Sequence, residues 1–185
     1  MRHARIAICA SVAALLILSF TAKTQNADQQ KLIEIEKAFS AQATPGPDAA
    51  AVAKQNLYEG NLNQLTPLGR VGMLPKARVV ELSSQPDPND PDVKATQTVS
   101  GFHVDVYGDT ALVAYKMSET DTGHKDAALN TTDHFGCLDT FVKRSNQWLL
   151  VGDACSPSSP LPSSEWAAVK KAMAQQPKDV QQAYH

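Results

Sequence analysis

Two segments of the chain place a histidine close to carboxylates. His103 lies two residues before Asp105, and His134 stands between Asp133 and Asp139. Histidine titrates near neutral pH and a neighbouring carboxylate can orient its ring, so either segment could supply a general acid–base pair. Such a pair could serve a reaction in which a proton moves to or from the substrate.

The alternation of side chains predicts which way the first of these segments faces. Apolar residues recur at every second position from Phe102 to Val106, with His103 and Asp105 between them, which is typical of a half-buried strand. The apolar face of such a strand turns toward the core. His103 and Asp105 are therefore predicted to face outward.

Asp139 is placed differently. It shares one face of a predicted strand with Phe135, Cys137 and Phe141. If that face is inward, Asp139 is a carboxyl group in an apolar pocket, and burial would raise its pKa; the alternative is a rim position paired with a lysine or arginine. Asp139 and His134 are the candidate catalytic residues, but they do not form a complete catalytic set, so the sequence leaves open whether the protein is an enzyme.

Four residues are candidates for contacting a ligand. Tyr58 and Tyr115 could reach into a pocket and form hydrogen bonds, and Asp139 and Trp148 complete the predicted ligand-binding set. The alternative for the tyrosines is a ring in the core with its hydroxyl at the edge. The alternative for Trp148 is a packing anchor.

The remaining motifs argue against several kinds of site. The histidines at 103, 124 and 134 lack metal-ligand spacing, and no glycine-rich phosphate loop or nucleophile motif occurs. We therefore predict no metal and no cofactor. The 185 residues include 17 Lys and Arg against 19 Asp and Glu, a net charge of −2 without a basic cluster, which argues against a nucleic-acid partner. A small apolar ligand is the expected partner.

The first 27 residues have the pattern of an export signal. Arg2 and Arg5 precede the apolar run 6–20, which a polar stretch without acidic residues follows. The run is about 15 residues long, short of the roughly 20 that a membrane-spanning helix needs. We predict cleavage between Ala22 and Ala27 and a secreted or periplasmic product with no membrane segment; a retained N-terminal anchor is the alternative.

Two cysteines would remain after this cleavage, Cys137 and Cys155. With a turn at Ser145 and Asn146, they lie opposite each other, or one residue out of register, on neighbouring strands. An oxidising compartment favours a disulfide between them. A pair of free buried thiols is the alternative.

The periodicity of the sequence changes along the chain and predicts an α+β fold. Apolar residues three and four apart indicate an amphipathic helix over 28–42. The other predicted elements are a helix over 48–58, a small hairpin or loop over 62–73, a helix after Pro75, strands at 98–107, 111–117, 134–144 and 148–155, a loop over 119–130, and a helix after residue 163. The tail after Pro177 is predicted to fray.

Two segments together resemble a known family. The sequences VDVYGDTA at 104–111 and DTFVKRSNQWLLV at 139–151 are similar to the nuclear transport factor 2-like superfamily, and most of all to its SnoaL-like, domain-of-unknown-function subgroup. The resemblance implies a cone in which N-terminal helices pack on a strongly curved antiparallel sheet and enclose a pocket. The chain then divides into an export signal at 1–27, this domain at 28–156, and a Pro/Ser-rich connector with a C-terminal helix at 157–185.

The resemblance does not select one function, because this fold hosts isomerases, dehydratases and cyclases as well as members that only bind ligands or dimerise. We predict an exported small-ligand-binding or accessory protein that forms a homodimer through the outer face of its sheet. A pocket enzyme that transfers protons is the first alternative, with Asp139, His134 and Tyr58 as acid–base and orienting groups. A structural or dimerisation module whose pocket is filled by its own side chains is the second.

Overall fold

The computed structural model describes residues 26–65 and 69–184. The predicted export signal and its cleavage point fall almost entirely outside these residues. Within the two described ranges, no helix is both long enough and apolar enough to cross a membrane.

The N-terminal helix α1, Ala27–Ala41, forms where the apolar spacing predicts it. Asn26 caps it in a reciprocal capping box with Gln29, so two of the unpaired backbone N–H groups at the helix start are satisfied. Leu32 and Ile35 are buried on the side that faces the sheet. The side chain of Gln29 also donates to the backbone oxygen of Val104 at 2.8 Å, which ties the start of α1 to the sheet.

Three short elements follow before the main strands. Helix α2, Pro47–Asn56, is followed by a hairpin of β1, Asn61–Leu65, and β2, Val71–Pro75. Helix α3, Lys76–Ser84, begins directly after Pro75 and packs against α2. The hairpin and the third helix are where the sequence predicts them.

Four longer strands form an antiparallel meander: β3, Lys94–Tyr107; β4, Thr110–Thr122; β5, Thr132–Arg144; and β6, Gln147–Pro157. The predicted loop over 119–130 is wrong in its first part, because β4 continues to Thr122 and pairs with strands on both sides. Polar residues fill this end of β4, so no apolar alternation marks it as a strand.

The six strands form one sheet in the order β2-β1-β6-β5-β4-β3. All neighbouring pairs are antiparallel except β1 and β6, which are parallel. Register shifts near Gly101 in β3 and after Thr140 in β5 bend the strands. The result is a curved, unclosed sheet with α1 and α2 against its concave side, as the predicted α+β cone requires.

The main core lies between helices α1 and α2 and the strands they pack against. Its largest fully buried side chains are Trp148, Phe141, Leu32, Leu57 and Val113. Burying apolar side chains of this size contributes about 1.5–3 kcal/mol each. This packing holds the sheet and α1 in a fixed relation, which matters for the polar groups described below.

The C-terminal part of the chain packs onto the same sheet. Helix α4, Ser163–Gln175, is followed by α5, Lys178–Ala183. The predicted fraying of this tail is wrong: Tyr184 forms a β-bridge with Gly72, and Arg70 donates to the backbone oxygen of Tyr184. A Cβ atom at Gly72 would collide with the Tyr184 ring and with the backbone oxygen of Ala183, so glycine is needed for this close approach.

Candidate functional site

A row of polar residues crosses the concave face of the sheet. Asp139 on β5 is opposite Val113 on β4, and Gln64 on β1 is opposite Asp153 on β6. The β5–β6 pairs on either side, Cys137 with Cys155 and Thr140 with Gly152, place Asp139 and Asp153 across from each other. Strand register therefore brings two carboxyl groups together inside the cone.

Helix α1 adds a third carboxyl group to this row. Glu36 and Asp139 are each only 3% exposed, and their carboxyl groups are hydrogen-bonded to each other. The hydroxyl of Tyr115 donates to Oδ2 of Asp139 at 3.2 Å, and the backbone N–H of Ala154 donates to the same carboxyl group. We call Glu36, Tyr115, Asp139 and Asp153 the inner acid cluster.

Burial changes the protonation of the inner acid cluster. It raises the pKa of Glu36 to about 10, with the neighbouring charge of Asp139 as the next cause. Burial and the charge of Asp153 raise the pKa of Asp139 to about 7, although the hydrogen bonds from Glu36 and Tyr115 act in the opposite direction. At neutral pH the carboxyl group of Glu36 is therefore protonated, and its O–H donates a hydrogen bond to the carboxylate of Asp139.

One proton between these carboxyl groups also explains two atoms that have no other hydrogen-bond partner. Among the described residues, Oε1 of Glu36 and Oδ1 of Asp139 are the buried side-chain oxygens without one. Two ionised carboxylates there would face each other without compensation, at a cost of several kcal/mol. The cluster is thus a carboxylic acid hydrogen-bonded to a carboxylate, a proton donor beside a proton acceptor.

The inner acid cluster is connected to a cavity through Gln64. The Nε2 group of Gln64 donates to Oδ2 of Asp153 at 3.1 Å, and its Oε1 accepts a hydrogen bond from the hydroxyl of Tyr184. Burial raises the pKa of Asp153 to about 6, against the effect of the Gln64 hydrogen bond. Gln64 and Tyr184 both line the cavity, so they separate it from the cluster.

The cavity has a volume of about 620 Å³ and lies between the open end of the sheet, α3 and the C-terminal helices. Its walls are mainly apolar, with Leu74, Val79, Leu82, Phe135, Trp166 and Val169 among the side chains that line it. This size and lining are typical of sites that bind small molecules. Helices α4 and α5 form one wall, so the C-terminal segment covers the pocket rather than docking elsewhere.

A second group of carboxyl groups lines the cavity itself: Glu119 and Asp121 on β4, Asp133 on β5 and Glu165 on α4. Glu119 and Asp133 are directly opposite each other in the β4–β5 register. Burial is the main cause that raises the pKa of Glu119, Asp121 and Glu165, and charge from neighbouring carboxylates adds to it. We call these four residues the wall carboxyls.

The predicted site residues fall in different places. Asp139 and Tyr115 meet in the inner acid cluster. His134 is exposed on the opposite face of β5, where it is paired with Ser118, so the structure does not bring it to Asp139. Tyr58 packs its ring against Gly60 and does not line the cavity.

Trp148 serves the core rather than the cavity. It is 2% exposed, and its Nε1–H donates to Oδ1 of Asp28 at 2.9 Å. Lys143 forms an ion pair with the same carboxylate at 2.8 Å. Trp148 is therefore a packing anchor, the alternative to ligand contact that the sequence offered for it.

The predicted disulfide is confirmed. Cys137 and Cys155 are bonded across the β5–β6 pair at directly opposite positions, with their Cα atoms 4.2 Å apart. A disulfide indicates an oxidising environment outside the cytosol. The bridge lies two residues from Asp139 and Asp153, so it braces the two strands that carry them.

The sequence analysis names Asp133 beside His134, but it does not identify Glu36, Asp153 or the other three wall carboxyls as site residues. Glu36 is four residues after Leu32, on the buried side of α1, and that spacing was a usable signal. The register that pairs the cysteines also places Asp153 opposite Asp139. No group of three or more metal-ligating side chains is assembled within the described ranges.

Comparison with known proteins identifies the fold. No family model and no curated protein matches the chain, so the SnoaL-like subgroup stays a prediction. A nuclear transport factor 2-like protein from Cytophaga hutchinsonii is similar in structure, with a TM-score of 0.54 and 12% identity over 72% of this chain and 99% of that one. A nuclear transport factor 2-like superfamily protein from Salmonella enterica has a TM-score of 0.54 and 15% identity over 74% of this chain and 95% of that one.

A protein from Streptomyces avermitilis, provisionally described as a dehydratase of the same family, gives a TM-score of 0.55 and 17% identity over 72% of this chain and 97% of that one. At these identities the likeness concerns the fold and not the reaction. The order of helices and strands, the curved sheet and these similar structures all indicate the same fold. The chain has the nuclear transport factor 2-like fold.

Proposed function

We propose that this protein is exported and binds a small, largely apolar molecule in the cavity. The observation that carries the proposal is the cavity of about 620 Å³ with apolar walls and a few convergent polar groups. Because this space is open, ligand binding is favoured over a module filled by its own side chains. The signal pattern of residues 1–27 and the disulfide support export.

The test combines ligand discovery with a blocked cavity. Native mass spectrometry of protein purified from the exported fraction, without reductant, reports cleavage, oligomeric state and any co-purified ligand. Val169→Trp should fill part of the cavity and lower the affinity for the recovered ligand at least about tenfold. Ala167→Trp places the same ring on the exposed side of α4 and is the matched control.

Two results would contradict ligand binding. One is an exported protein that carries no ligand and binds no member of a library of small apolar molecules. The other is equal loss of affinity in Val169→Trp and Ala167→Trp, because the loss would then not depend on the cavity. Thermal melts of both variants show whether each remains folded.

A proton-transfer enzyme is the second candidate, and the inner acid cluster favours it. Glu36 is a buried proton donor beside Asp139, whose pKa of about 7 suits a general base. A substrate would reach them only past Gln64 and Tyr184. If Asp139→Asn left both turnover and ligand affinity unchanged, Asp139 would have no role in catalysis.

Homodimer formation through the outer sheet face also remains a proposal. Leu138, Leu65 and Val71 are 47%, 44% and 54% exposed, and Leu65 lies opposite Val71 in the register of β1 and β2. Exposed apolar residues in a row favour contact with another protein surface. Leu138→Lys should shift a dimer toward monomer in native mass spectrometry; a wild-type protein that is monomeric at all concentrations would exclude this interface.

A further inference from the structure

The charges that face the cavity are unbalanced. Besides the four wall carboxyls, Arg70 and His124 are the charged or basic residues that line it. Arg70 donates to backbone oxygens of Gln181 and Tyr184, and the Nδ1 atom of His124 lies 2.7 Å from Oδ2 of Asp90. The Nε2 atom of His124 also lies 4.0 Å from Oδ2 of Asp121, so this basic group faces one of the four wall carboxyls, Asp121, as well as Asp90.

Glu165 is the wall carboxyl with the least compensation. It is 6% exposed, and within the described part of the chain no N–H group or cation pairs with it. Its polar neighbour is the carboxyl group of Asp133, which itself accepts a hydrogen bond from Thr131 at 2.6 Å. Because its polar neighbour is another acid, a carboxylate at Glu165 would be stabilised by a hydrogen-bond donor that reaches it from the cavity.

The geometry of the strands concentrates this acidity at one place. Glu119 and Asp133 are directly opposite each other, and Glu165 from α4 meets Asp133. Like charges at opposed positions destabilise a sheet. An ammonium group among these carboxyl groups, with its N–H groups directed at different partners, would reduce the repulsion and supply Glu165 with a donor.

The other walls fit an apolar body. Phe135 and Trp166 provide aromatic surfaces close to the wall carboxyls, and Leu74, Val79 and Val169 extend the apolar lining. Aromatic faces attract ammonium groups as well as apolar surface. A simple metal ion would leave these walls without a partner, whereas an amphiphilic amine uses both parts of the cavity.

We propose that the ligand is a small organic ammonium ion whose charged group lies among Glu119, Asp133 and Glu165 and whose apolar body contacts Phe135 and Trp166. This inference rests on the proposed function, because it names the class of molecule that the cavity binds. The cavity then selects ligands by charge as well as by size.

The test uses three probes with the same ring system and different head groups: naphthylethylammonium, naphthylethanol and naphthylpropanoate. Titrations of the full exported protein at pH 7, followed by probe fluorescence and calorimetry, give their affinities. The ammonium probe should bind at least about tenfold more tightly than the alcohol, because a charge-assisted hydrogen bond is stronger than a neutral one. The carboxylate probe should bind more weakly than both.

Variants then locate the charge preference. Glu165→Gln should remove most of the difference in affinity between the ammonium probe and the alcohol. If Glu165→Gln does not fold, Asp133→Asn tests the same group from β5. Asp105→Asn changes a carboxylate on the outer face of the sheet and should leave all three affinities unchanged.

The outcomes separate the two proposals. An alcohol that binds as tightly as the ammonium probe, and is weakened by Val169→Trp, would overturn the cation inference and leave the ligand-binding function in place. A preference for ammonium that survives both Glu165→Gln and Asp133→Asn would also overturn it. Failure of all three probes to bind would count against the binding function itself.

Discussion

The proton held by Glu36 makes a quantitative prediction for stability. The pKa of Glu36 rises from 4.5 to about 10 in the folded protein, so the folded state binds more protons than the unfolded state between these values. The contribution of this proton to the free energy of unfolding is therefore fully present below pH 4.5 and is lost as the pH rises toward 10. The expected slope is about 1.4 kcal/mol per pH unit, or roughly 3 kcal/mol between pH 7 and pH 9.

Replacing Glu36 with glutamine should remove this slope. The amide can still donate a hydrogen bond to Asp139, but it has no proton to lose in this range. Asp139 and Asp153, whose pKa values are about 7 and about 6, contribute mainly at lower pH. Between pH 7 and pH 9 the unfolding free energy of Glu36→Gln should therefore change by less than about 1 kcal/mol.

The assay is urea unfolding at several pH values, followed by tryptophan fluorescence with the disulfide intact. Glu34→Gln is the matched control, because Glu34 is exposed on the same helix and pairs with Lys31 at the surface. It should keep the wild-type slope. Equal slopes for the wild type and Glu36→Gln would refute the assignment of a buried proton to Glu36.

Three further predictions concern the disulfide, the chain start and the C-terminal helix. The double variant Cys137→Ser/Cys155→Ser should lower the unfolding free energy by roughly 3 kcal/mol in denaturant titrations, since the bridge closes a loop with a sequence separation of 18; an unchanged midpoint would contradict this. The exported protein should begin after Ala22, because cleavage five residues later would remove the capping residue of α1, and intact-mass measurement decides between the two. Gly72→Ala should expose residues 178–184 to hydrogen exchange by displacing the C-terminal tyrosine ring, whereas Gly136→Ala, with open space around its Cβ position, should not; full protection in Gly72→Ala would disprove the close approach.

The fold was predictable because its signals are local. Apolar spacing marks α1, and alternation marks β3, β5 and β6, so these elements need no knowledge of the rest of the chain. The parallel pairing of β1 with β6 was not predictable in this way. It joins residues nearly ninety positions apart, and neither strand carries a pattern that names its partner.

The site was predictable only in part, because it depends on where separate elements meet. Asp139 was identified from the apolar residues that share its face. Glu36 was missed because a glutamate in an amphipathic helix is usually exposed. The sequence predicts a loop at Glu119 and Asp121, because a strand whose inward residues are acidic lacks the apolar alternation that identifies a strand.

The position of α4 and α5 in the chain affects the order in which the binding site can be completed. All six strands are present once the chain has reached Pro157, but the wall that carries Glu165 and Tyr184 comes later. A polypeptide emerging from its N-terminus would first expose the concave face of the sheet, with the wall carboxyls of β4 and β5 in contact with water. Helices α4 and α5 come after the strands in the chain, so the cavity is enclosed only once residues 163–184 have emerged.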